Sequence, residues 1–387
     1  MTTRERSGIV RIGVGVAVAI WLSVVILQPG LFGRPEILAP IAITGLVIAL
    51  ACAAGIVVGS RSGLAWVVLL AIGLVGIGLR LMLVDGSRSD VLVVTEAAVA
   101  KWLSGGVPYG IGYAVSSPPG APFPYGPVAL AWHALAGPAA QEFELAIGCF
   151  VLAVLMLRGR PIGAAAYALM PLAAGATGDG SNDTSAGLFL LVALVGLSVS
   201  RFGGGILLAL AVGFKLFAAA WLPAALAIGG WRVLGGFALG SAVAWAPALL
   251  AWGLRPIVAS MSRALEIHVR PSYSLAAAVE ALTGRPAVPE TFRLLGPIAG
   301  ALTAAVVFAV ARVRRVDTTL AGLAIFTVTI YSGYWASSTY LVMAAPVVCW
   351  ELDRWLGTAG WAARWPLSPL RRLADRLGAL RVGQAGG

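Results

Sequence analysis

Apolar segments of about 20 residues recur along the chain, and each is long enough to cross the hydrocarbon core of a bilayer as a helix. Only 11% of the 387 residues are charged, whereas a soluble domain carries about 25%. Windows of this length are also unlike the alternating strands of an outer-membrane barrel. The segments lie near residues 9–27, 37–58, 64–84, 142–157, 161–176, 184–200, 233–252, 294–311, 319–335 and 338–352. The sequence therefore predicts an all-α fold, a polytopic transmembrane helical bundle of about 10–12 spans or half-spans.

Arginine supplies nearly all of the net charge of +11, and it clusters at the ends of the apolar segments. Such clusters mark cytoplasmic loops in membrane proteins, so the charge needs no nucleic acid to explain it. We expect a multi-pass plasma-membrane protein with cytoplasmic N- and C-termini. Residues 1–353 would form the membrane domain, and the basic tail 354–387 would lie on the anionic inner leaflet. The acids and histidines then face the extracytoplasmic side.

One segment breaks this alternation of sides. Residues 206–228 are long enough to cross, yet Arg201 and Arg232 on the two flanks both favour the cytoplasm. Lys215 and Pro223 interrupt the segment. Two short helices forming a re-entrant hairpin would satisfy the charges. A plain crossing would instead reverse every later loop, so we favour the hairpin.

Residues 85–141 form the first long extracytoplasmic loop. Val91, Val94, Ala98 and Trp102 recur at helical spacing, which predicts a helix lying in the membrane interface. Asp90 opens this helix at the membrane boundary, where an enzyme acting on lipid-borne substrates would place a general base. The alternative is that Asp90 is only a helix N-cap.

A second polar turn, TGDGSNDTSAG, separates two apolar segments and contains Asp179, Asn182 and Asp183. Acids and an amide in one turn suit a hydroxyl-rich ligand, because sugar hydroxyls need both donors and acceptors. One of the two acids could simply cap the following helix. A cation is a further alternative, although no fixed spacing of oxygen ligands supports it.

Cationic and aromatic side chains supply the remaining candidates. Lys215 is costly in an apolar segment and should contact an acid, carbonyls at a broken helix or a ligand phosphate. Arg80 either snorkels to headgroups or meets a phosphate, and Arg270 with His268 could do the same in an outer loop. Tyr340 could stack on a sugar or belong to an aromatic belt.

Taken in order, these motifs resemble the integral-membrane GT-C glycosyltransferases, and most closely the actinobacterial polyprenyl-phosphate-mannose-dependent group, glycosyltransferase family 87. The resemblance is carried by Asp90 with the following stretch to Gly105 or Gly106, by Pro108-Tyr109 and by Phe123-Pro124-Tyr125-Gly126-Pro127. The turn GDGSND, the segment from Lys215 to Pro223 and the stretch SSTYLVMAAP add to it. It covers roughly residues 80–350.

The resemblance implies transfer of a sugar, mannose or arabinofuranose, from a polyprenyl phosphate to a lipid or cell-envelope glycan on the extracytoplasmic face. It implies Asp90 as the general base, with Asp85 as the alternative, and Arg80, Arg270 or His268 near the phosphate. We expect no cofactor and no metal, with the polyprenyl-phosphate sugar as donor substrate and membrane lipids and the acceptor as the other partners. The candidate substrate contacts are Arg80, Glu96, Tyr109, Tyr125, Asp179, Asn182, Asp183, Lys215, His268, Arg270 and Tyr340.

A transporter or flippase of an amphiphilic, lipid-linked substrate is the alternative, since broken helices and buried charge suit transporters too. No internal repeat relates two halves of the chain, and the polar residues concentrate on one side. Both observations favour the transferase. A non-catalytic envelope scaffold is a third reading, and it predicts that Asp90 can be replaced freely.

Overall fold

The computed structural model describes residues 62–84, 88–267, 272–314, 316–337 and 339–355. Most of these residues are helical, with one short antiparallel pair of strands, β1 (Gly112–Tyr113) and β2 (Ala121–Pro122), in which Gly112 faces Pro122. The helices are α1 (Ser62–Leu83), α2 (Asp90–Leu103), α3 (Pro127–Ala136), α4 (Ala140–Leu157), α5 (Pro161–Leu169), α6 (Pro171–Gly178), α7 (Asp183–Val199), α8 (Arg201–Phe214), α9 (Leu222–Trp252), α10 (Leu254–Ala264), α11 (Leu275–Thr283), α12 (Pro289–Phe292), α13 (Leu295–Val313), α14 (Thr318–Tyr331) and α15 (Tyr340–Trp355). Short 3-10 helices span Gly137–Ala139 and Leu216–Trp221.

Within the described ranges, three runs of helical residues are long and apolar enough, by length and composition, to cross a membrane: Pro127–Leu157, Leu216–Trp252 and Pro289–Val313. Gly137 and Gly230 have positive φ and break the first two runs. The pair Leu172–Gly178 and Asp183–Val199, bent by 116°, is a fourth candidate if it forms one span. Leu302 on α13 is mostly exposed. Large apolar side chains on a surface mark contact with something other than water. These helices indicate a membrane protein, and the predicted spans 9–27 and 37–58 lie outside the described residues.

The two predicted spans that follow the first loop compare differently with the structure. The helix expected at 142–157 is α4, which begins at Ala140. The end of the predicted loop 85–141 holds the separate helix α3, because Gly137 (φ 57°, ψ −133°) breaks the helix and His133 on α3 meets Glu144 on α4. The span expected at 161–176 is two helices, since the residue before a proline disfavours helical geometry and Met170 precedes Pro171.

The described residues form two compact units, the first containing residues 62–83, 148–175 and 348–355. In this unit α1 packs closely on α5, where a Cβ on Gly76 would lie 2.7 Å from that of Ala168. The buried Asp353 carboxylate accepts hydrogen bonds from the backbone N–H groups of Ile162 (3.3 Å) and Gly163 (2.9 Å). A carboxylate at a helix N-terminus satisfies amides that have no partner in the helix.

The second unit contains residues 84–147 and 176–347, apart from those not described. Its centre is the pair α8 and α9, which glycines bring into backbone contact. A Cβ on Gly236 would lie 2.0 Å from the carbonyl oxygen of Phe202, and one on Gly240 would lie 2.7 Å from that of Ile206. Small residues allow such close approach of helices in membranes. The partners advance together along both helices, so α8 and the second half of α9 run parallel.

The chain must therefore reverse twice between these two parallel segments. It first breaks at Lys215, whose backbone is extended (φ −142°, ψ 119°). It breaks again at Gly230, where φ of 56° and ψ of −140° interrupt α9 in a region that favours glycine. A Cβ on Gly229 would lie 3.7 Å from Cδ of Arg201, so the returning segment ends beside the start of α8. The result is a helical hairpin with Lys215 at its tip.

This hairpin brings the two flanks of the predicted re-entrant segment 206–228 to one end. Arg201 opens α8 and Arg232 follows the second reversal, so both cationic flanks lie at the base of the hairpin. In that geometry the two arginines lie at the same end of the hairpin, which is the arrangement that the charge pattern predicts. The insertion of the hairpin into the outer or inner half of a bilayer stays a prediction.

Candidate functional site

A buried ion pair lies at the tip of the hairpin. Nζ of Lys215 donates a hydrogen bond to Oδ1 of Asp183 at 2.5 Å, with the two residues 3% and 0% exposed. Oδ2 of Asp183 accepts a hydrogen bond from the Ser181 hydroxyl at 3.0 Å. Removing an ion from water costs several kcal/mol, so each of these charges depends on the other. An acid is one of the three partners that the sequence allowed for Lys215.

Two tyrosine rings flank the ammonium group. Nζ of Lys215 lies 5.1 Å from the ring centroid of Tyr125 and 5.4 Å from that of Tyr340. Both distances fall within the range of cation–π attraction. The Trp335 ring meets Tyr340 edge-on at 5.5 Å, and its buried indole N–H has no hydrogen-bond partner among the described residues. Asp183, Lys215, Tyr125 and Tyr340 are hereafter the ion-pair cluster.

A glycine contact places Tyr125 in this cluster. The N–H of Gly126 donates to the carbonyl oxygen of Phe214 at 3.1 Å, one residue before Lys215. A Cβ on Gly126 would lie 2.0 Å from the carbonyl oxygen of Gly213, a distance that no side chain permits. The close approach fixes the end of the first loop against the tip of the hairpin. Tyr125 is thereby held over the lysine.

The turn between α6 and α7 gives its two acids different roles. Oδ1 of Asp179 accepts from the backbone N–H of Ser181 at 2.9 Å, and that same N–H donates to the carbonyl oxygen of Ala176 at 2.8 Å. Asp179 therefore shapes the turn, as aspartates commonly do. Both carboxylate oxygens of Asp183 accept hydrogen bonds from side chains, those of Lys215 and Ser181, and neither oxygen caps α7. The expectation that one acid caps α7 therefore finds no support in Asp183.

Asn182 lies between these acids and is fully buried. It occupies the N-cap position of α7 but makes no side-chain capping hydrogen bond. Neither Oδ1 nor Nδ2 of its carboxamide has a partner in the part of the chain that the structure describes. A buried polar group left unsatisfied costs about 1–3 kcal/mol. Such a group at a polar turn is available to bind a ligand or an ordered water.

Asp90 stands at the other side of this turn. The N-cap of α2 is Ser89, whose hydroxyl accepts from the N–H of Leu92 at 3.1 Å, so Asp90 is the first helical residue and not the cap. Its Oδ1 accepts from the backbone N–H of Ser117 at 2.5 Å. The N–H of Ser89 donates to the carbonyl oxygen of Asp179 at 2.9 Å, which joins the start of α2 to the turn. Partial burial raises the pKa of Asp90, and the hydrogen bond from Ser117 opposes this rise.

Electrostatics link Asp90 to the ion-pair cluster. The pKa of the Tyr125 phenol is raised well above its ordinary value by burial first, and then by Asp183, Tyr340 and Asp90. The hydrogen bond from Ser89 to the carbonyl oxygen of Asp179 also holds the start of α2 against the turn that contains Asp183. Asp90 remains exposed, in contrast to Asp183. One accessible carboxylate thus borders a buried ion pair.

Three further predicted residues have internal partners. The guanidinium of the fully buried Arg80 donates to the carbonyl oxygens of Gly76 (2.9 Å), Tyr167 (2.9 Å) and Ala168 (3.1 Å), so it ties α1 to α5. Glu96 pairs with Arg88 at the surface. The buried Tyr109 donates to the carbonyl oxygen of Tyr125 at 3.0 Å and supports the loop. These contacts stabilise the fold, and contact of the three residues with substrate stays a prediction.

Asp85, His268 and Arg270 lie outside the described residues. The same holds for the basic tail from residue 356 onward. The alternative base and two of the proposed phosphate ligands therefore stay predictions. Lys215 is the cation that the described residues place beside the turn.

Sequence reasoning missed a second buried pair. Nε2 of His133 lies 2.9 Å from Oε1 of Glu144, with the two side chains 1% and 0% exposed. Oε2 of Glu144 accepts from the backbone N–H of Ser185 at 3.0 Å. The two residues are eleven positions apart on α3 and α4, a spacing that no motif describes. The available signal was Glu144 itself, an acid within an apolar helix that also carries Glu142.

Among the described residues, no group of three or more His, Cys, Asp or Glu side chains could hold a metal ion. The unsatisfied groups at the site are an amide and an indole N–H, which suit hydroxyl or phosphate oxygens. Comparison of the chain with protein-family models, curated proteins and solved structures finds no match.

Proposed function

We propose that the protein is a GT-C-type membrane glycosyltransferase with its active site on the extracytoplasmic face and both termini in the cytoplasm. It would move a sugar, mannose or arabinofuranose, from a polyprenyl phosphate to a lipid or cell-envelope glycan. The observation that carries the proposal is the exposed Asp90 carboxylate beside the ion-pair cluster and the free carboxamide of Asn182. An accessible base, a cation and a hydroxyl-binding amide are the groups that such a transfer needs.

Asp90 would act as the general base. The acceptor hydroxyl oxygen attacks the anomeric carbon, its proton passes to the Asp90 carboxylate, and the bond from the anomeric carbon to the phosphate oxygen breaks. The polyprenyl phosphate leaves with that electron pair. A raised pKa makes the carboxylate a better proton acceptor than an ordinary aspartate. The backbone N–H of Ser117 and the N-terminus of α2 hold the carboxylate in place.

Lys215 would offset the charge that develops on the leaving phosphate. Its ammonium group is the described cation next to the turn, and the rings of Tyr125 and Tyr340 enclose it. Preorganised charge in a water-poor site stabilises a transition state more than the same charge in water does. Asp183 holds the ammonium group in place in the absence of substrate. Asp179 contributes by shaping the turn.

The test is sugar transfer by purified protein from radiolabelled polyprenyl-phosphate-mannose and polyprenyl-phosphate-arabinose into membrane lipid or envelope glycan. We expect transfer by the wild type and a loss of at least about 100-fold in Asp90→Asn. Glu290→Gln, which removes another exposed carboxylate, should transfer at the wild-type rate. Equal unfolding midpoints of the three proteins exclude misfolding. Transfer that survives Asp90→Asn would move the base elsewhere.

A transporter or flippase of the same lipid is the second candidate. The 116° bend between α6 and α7 and the break at Lys215 favour it, because transporters build their sites at discontinuous helices. Reconstitution in vesicles with a fluorescent polyprenyl-phosphate sugar separates the two functions. Movement of the intact lipid between leaflets without sugar transfer would establish the transporter and reject the enzyme.

A further inference from the structure

The first turn of α7 is capped in an unusual way. The first amides of a helix have no intrahelical partner, and an asparagine at the N-cap normally accepts a hydrogen bond from one of them. Asn182 occupies that position with φ of −66° and ψ of −2°, outside the extended geometry that capping requires. The N–H of Ser185, the third residue of the helix, donates to Glu144 of α4 instead. The cap therefore comes from another helix.

The Glu144 carboxylate is held rigidly in this role. Nδ1 of His133 lies 2.9 Å from the carbonyl oxygen of Ala129, and a carbonyl only accepts, so Nδ1 carries a hydrogen. Nε2 of the same ring bonds to the second oxygen of Glu144. The Trp132 indole N–H donates to the Ser185 hydroxyl at 2.9 Å and fixes the same turn of α7. Both oxygens of Glu144 are thus used, one on the imidazole and one on the helix.

The external cap has a consequence for Asn182. Glu144 accepts the hydrogen bond of the Ser185 N–H, so the Asn182 carboxamide is not needed to cap the helix. The carboxamide is fully buried, and its acceptor and donor groups are both free. It lies in sequence directly before Asp183 of the ion-pair cluster. Neighbouring sugar hydroxyls present the matching pair of a donor and an acceptor. A carboxamide is suited to bind two of them at once.

We infer that Glu144, held by His133, is a positioning residue that caps α7 from outside and so leaves the Asn182 carboxamide free to bind hydroxyls of the transferred sugar. The sugar as ligand rests on the proposed function. The external cap does not, since it follows from contacts within the protein. Glu144 acts through Asn182 and the start of α7, without contact to substrate.

Unfolding midpoints test the cap without any substrate. Asn182→Ala should not lower the wild-type midpoint, because the side chain caps nothing and its buried carboxamide is unsatisfied. Glu144→Ala should lower the midpoint, whereas Glu144→Gln should restore most of it, since an amide oxygen still accepts from Ser185 and the NH₂ group donates to Nε2 of His133. Glu142→Gln, an exposed neighbour on α4, is the matched control. A midpoint that falls as far in Asn182→Ala as in Glu144→Ala would overturn the inference.

Lipid binding tests the ligand, with polyprenyl-phosphate-mannose and sugar-free polyprenyl phosphate as probes. We expect Asn182→Ala to weaken binding of the mannosylated lipid by about tenfold or more, because the hydrogen bonds from the carboxamide to the sugar are lost. Binding of the sugar-free lipid should stay unchanged. Glu144→Gln should bind both lipids like the wild type. Equal binding of both lipids by wild type and Asn182→Ala would overturn the sugar contact. A wild type that binds mannosylated lipid without transferring the sugar would reject the proposed function alone.

Discussion

Replacing Lys215 by methionine removes one partner of the buried ion pair and leaves the Asp183 carboxylate without its counter-charge. At 2.5 Å and an effective dielectric constant of about 20, the attraction between the two charges is about 7 kcal/mol. Desolvation of the two ions, several kcal/mol each, offsets most of that attraction. The intact pair therefore contributes little net stability, whereas its disruption exposes the full desolvation cost of one ion. We expect Lys215→Met to lower the free energy of unfolding by about 3–5 kcal/mol.

The double variant Lys215→Met/Asp183→Asn separates this cause from a loss of packing. Without either charge, the desolvation cost disappears, so the double variant should be more stable than Lys215→Met by about 2 kcal/mol or more. Lys101→Met, at the exposed lysine, should change stability by less than about 0.5 kcal/mol. The measurement is unfolding by SDS in mixed micelles, followed by circular dichroism. A double variant that is less stable than Lys215→Met would refute the reasoning.

Three further predictions concern the base, the internal arginine and the glycine contact. The pKa of Asp90 is raised, and the base acts in its deprotonated form. The rate of sugar transfer should therefore rise with pH, with a midpoint above the usual pKa range of aspartate. The residual activity of Asp90→Asn should lack this rise. Arg80→Lys should lower the free energy of unfolding by about 3 kcal/mol, because an ammonium group cannot reach three carbonyls. The control Arg88→Lys, at an exposed position, should leave the free energy of unfolding unchanged in the same SDS titration. Gly126→Ala should lower the free energy of unfolding by about 1–3 kcal/mol and abolish sugar transfer, because the added methyl group displaces the first loop. The control Gly235→Ala, whose Cβ would lie 3.6 Å from an aromatic side chain, should keep sugar transfer. An active Gly126→Ala would show that the close approach is dispensable.

Candidate residues of the site could be found from the sequence because they violate its background. Asp90, Asp183 and Lys215 are charged residues beside or within apolar segments, and such residues are costly unless they have a partner or a role. The lysine was therefore recognisable as a residue that needs a partner. Which of several acids pairs with it was open, since the two partners are 32 positions apart.

Breaks between helices could be found in the local sequence, whereas the contacts across those breaks could not. Gly137 and Pro138 mark an end of helix, and Gly137 separates α3 from α4, but the contact of His133 with Glu144 across this break has no local signal. The charge pattern of Arg201 and Arg232 predicted a hairpin, and the parallel packing of α8 against α9 supplies its physical basis.

By itself, the sequence determined a helical membrane protein, because apolar length and the scarcity of charge act segment by segment. It also determined which polar residues require an explanation. Only the tertiary structure decided that Arg80 is spent on backbone carbonyls, and that Glu144 caps a helix on which Asn182 remains free. Hydrogen bonds between distant residues depend on how helices pack, and the packing sums many contacts that no single motif encodes.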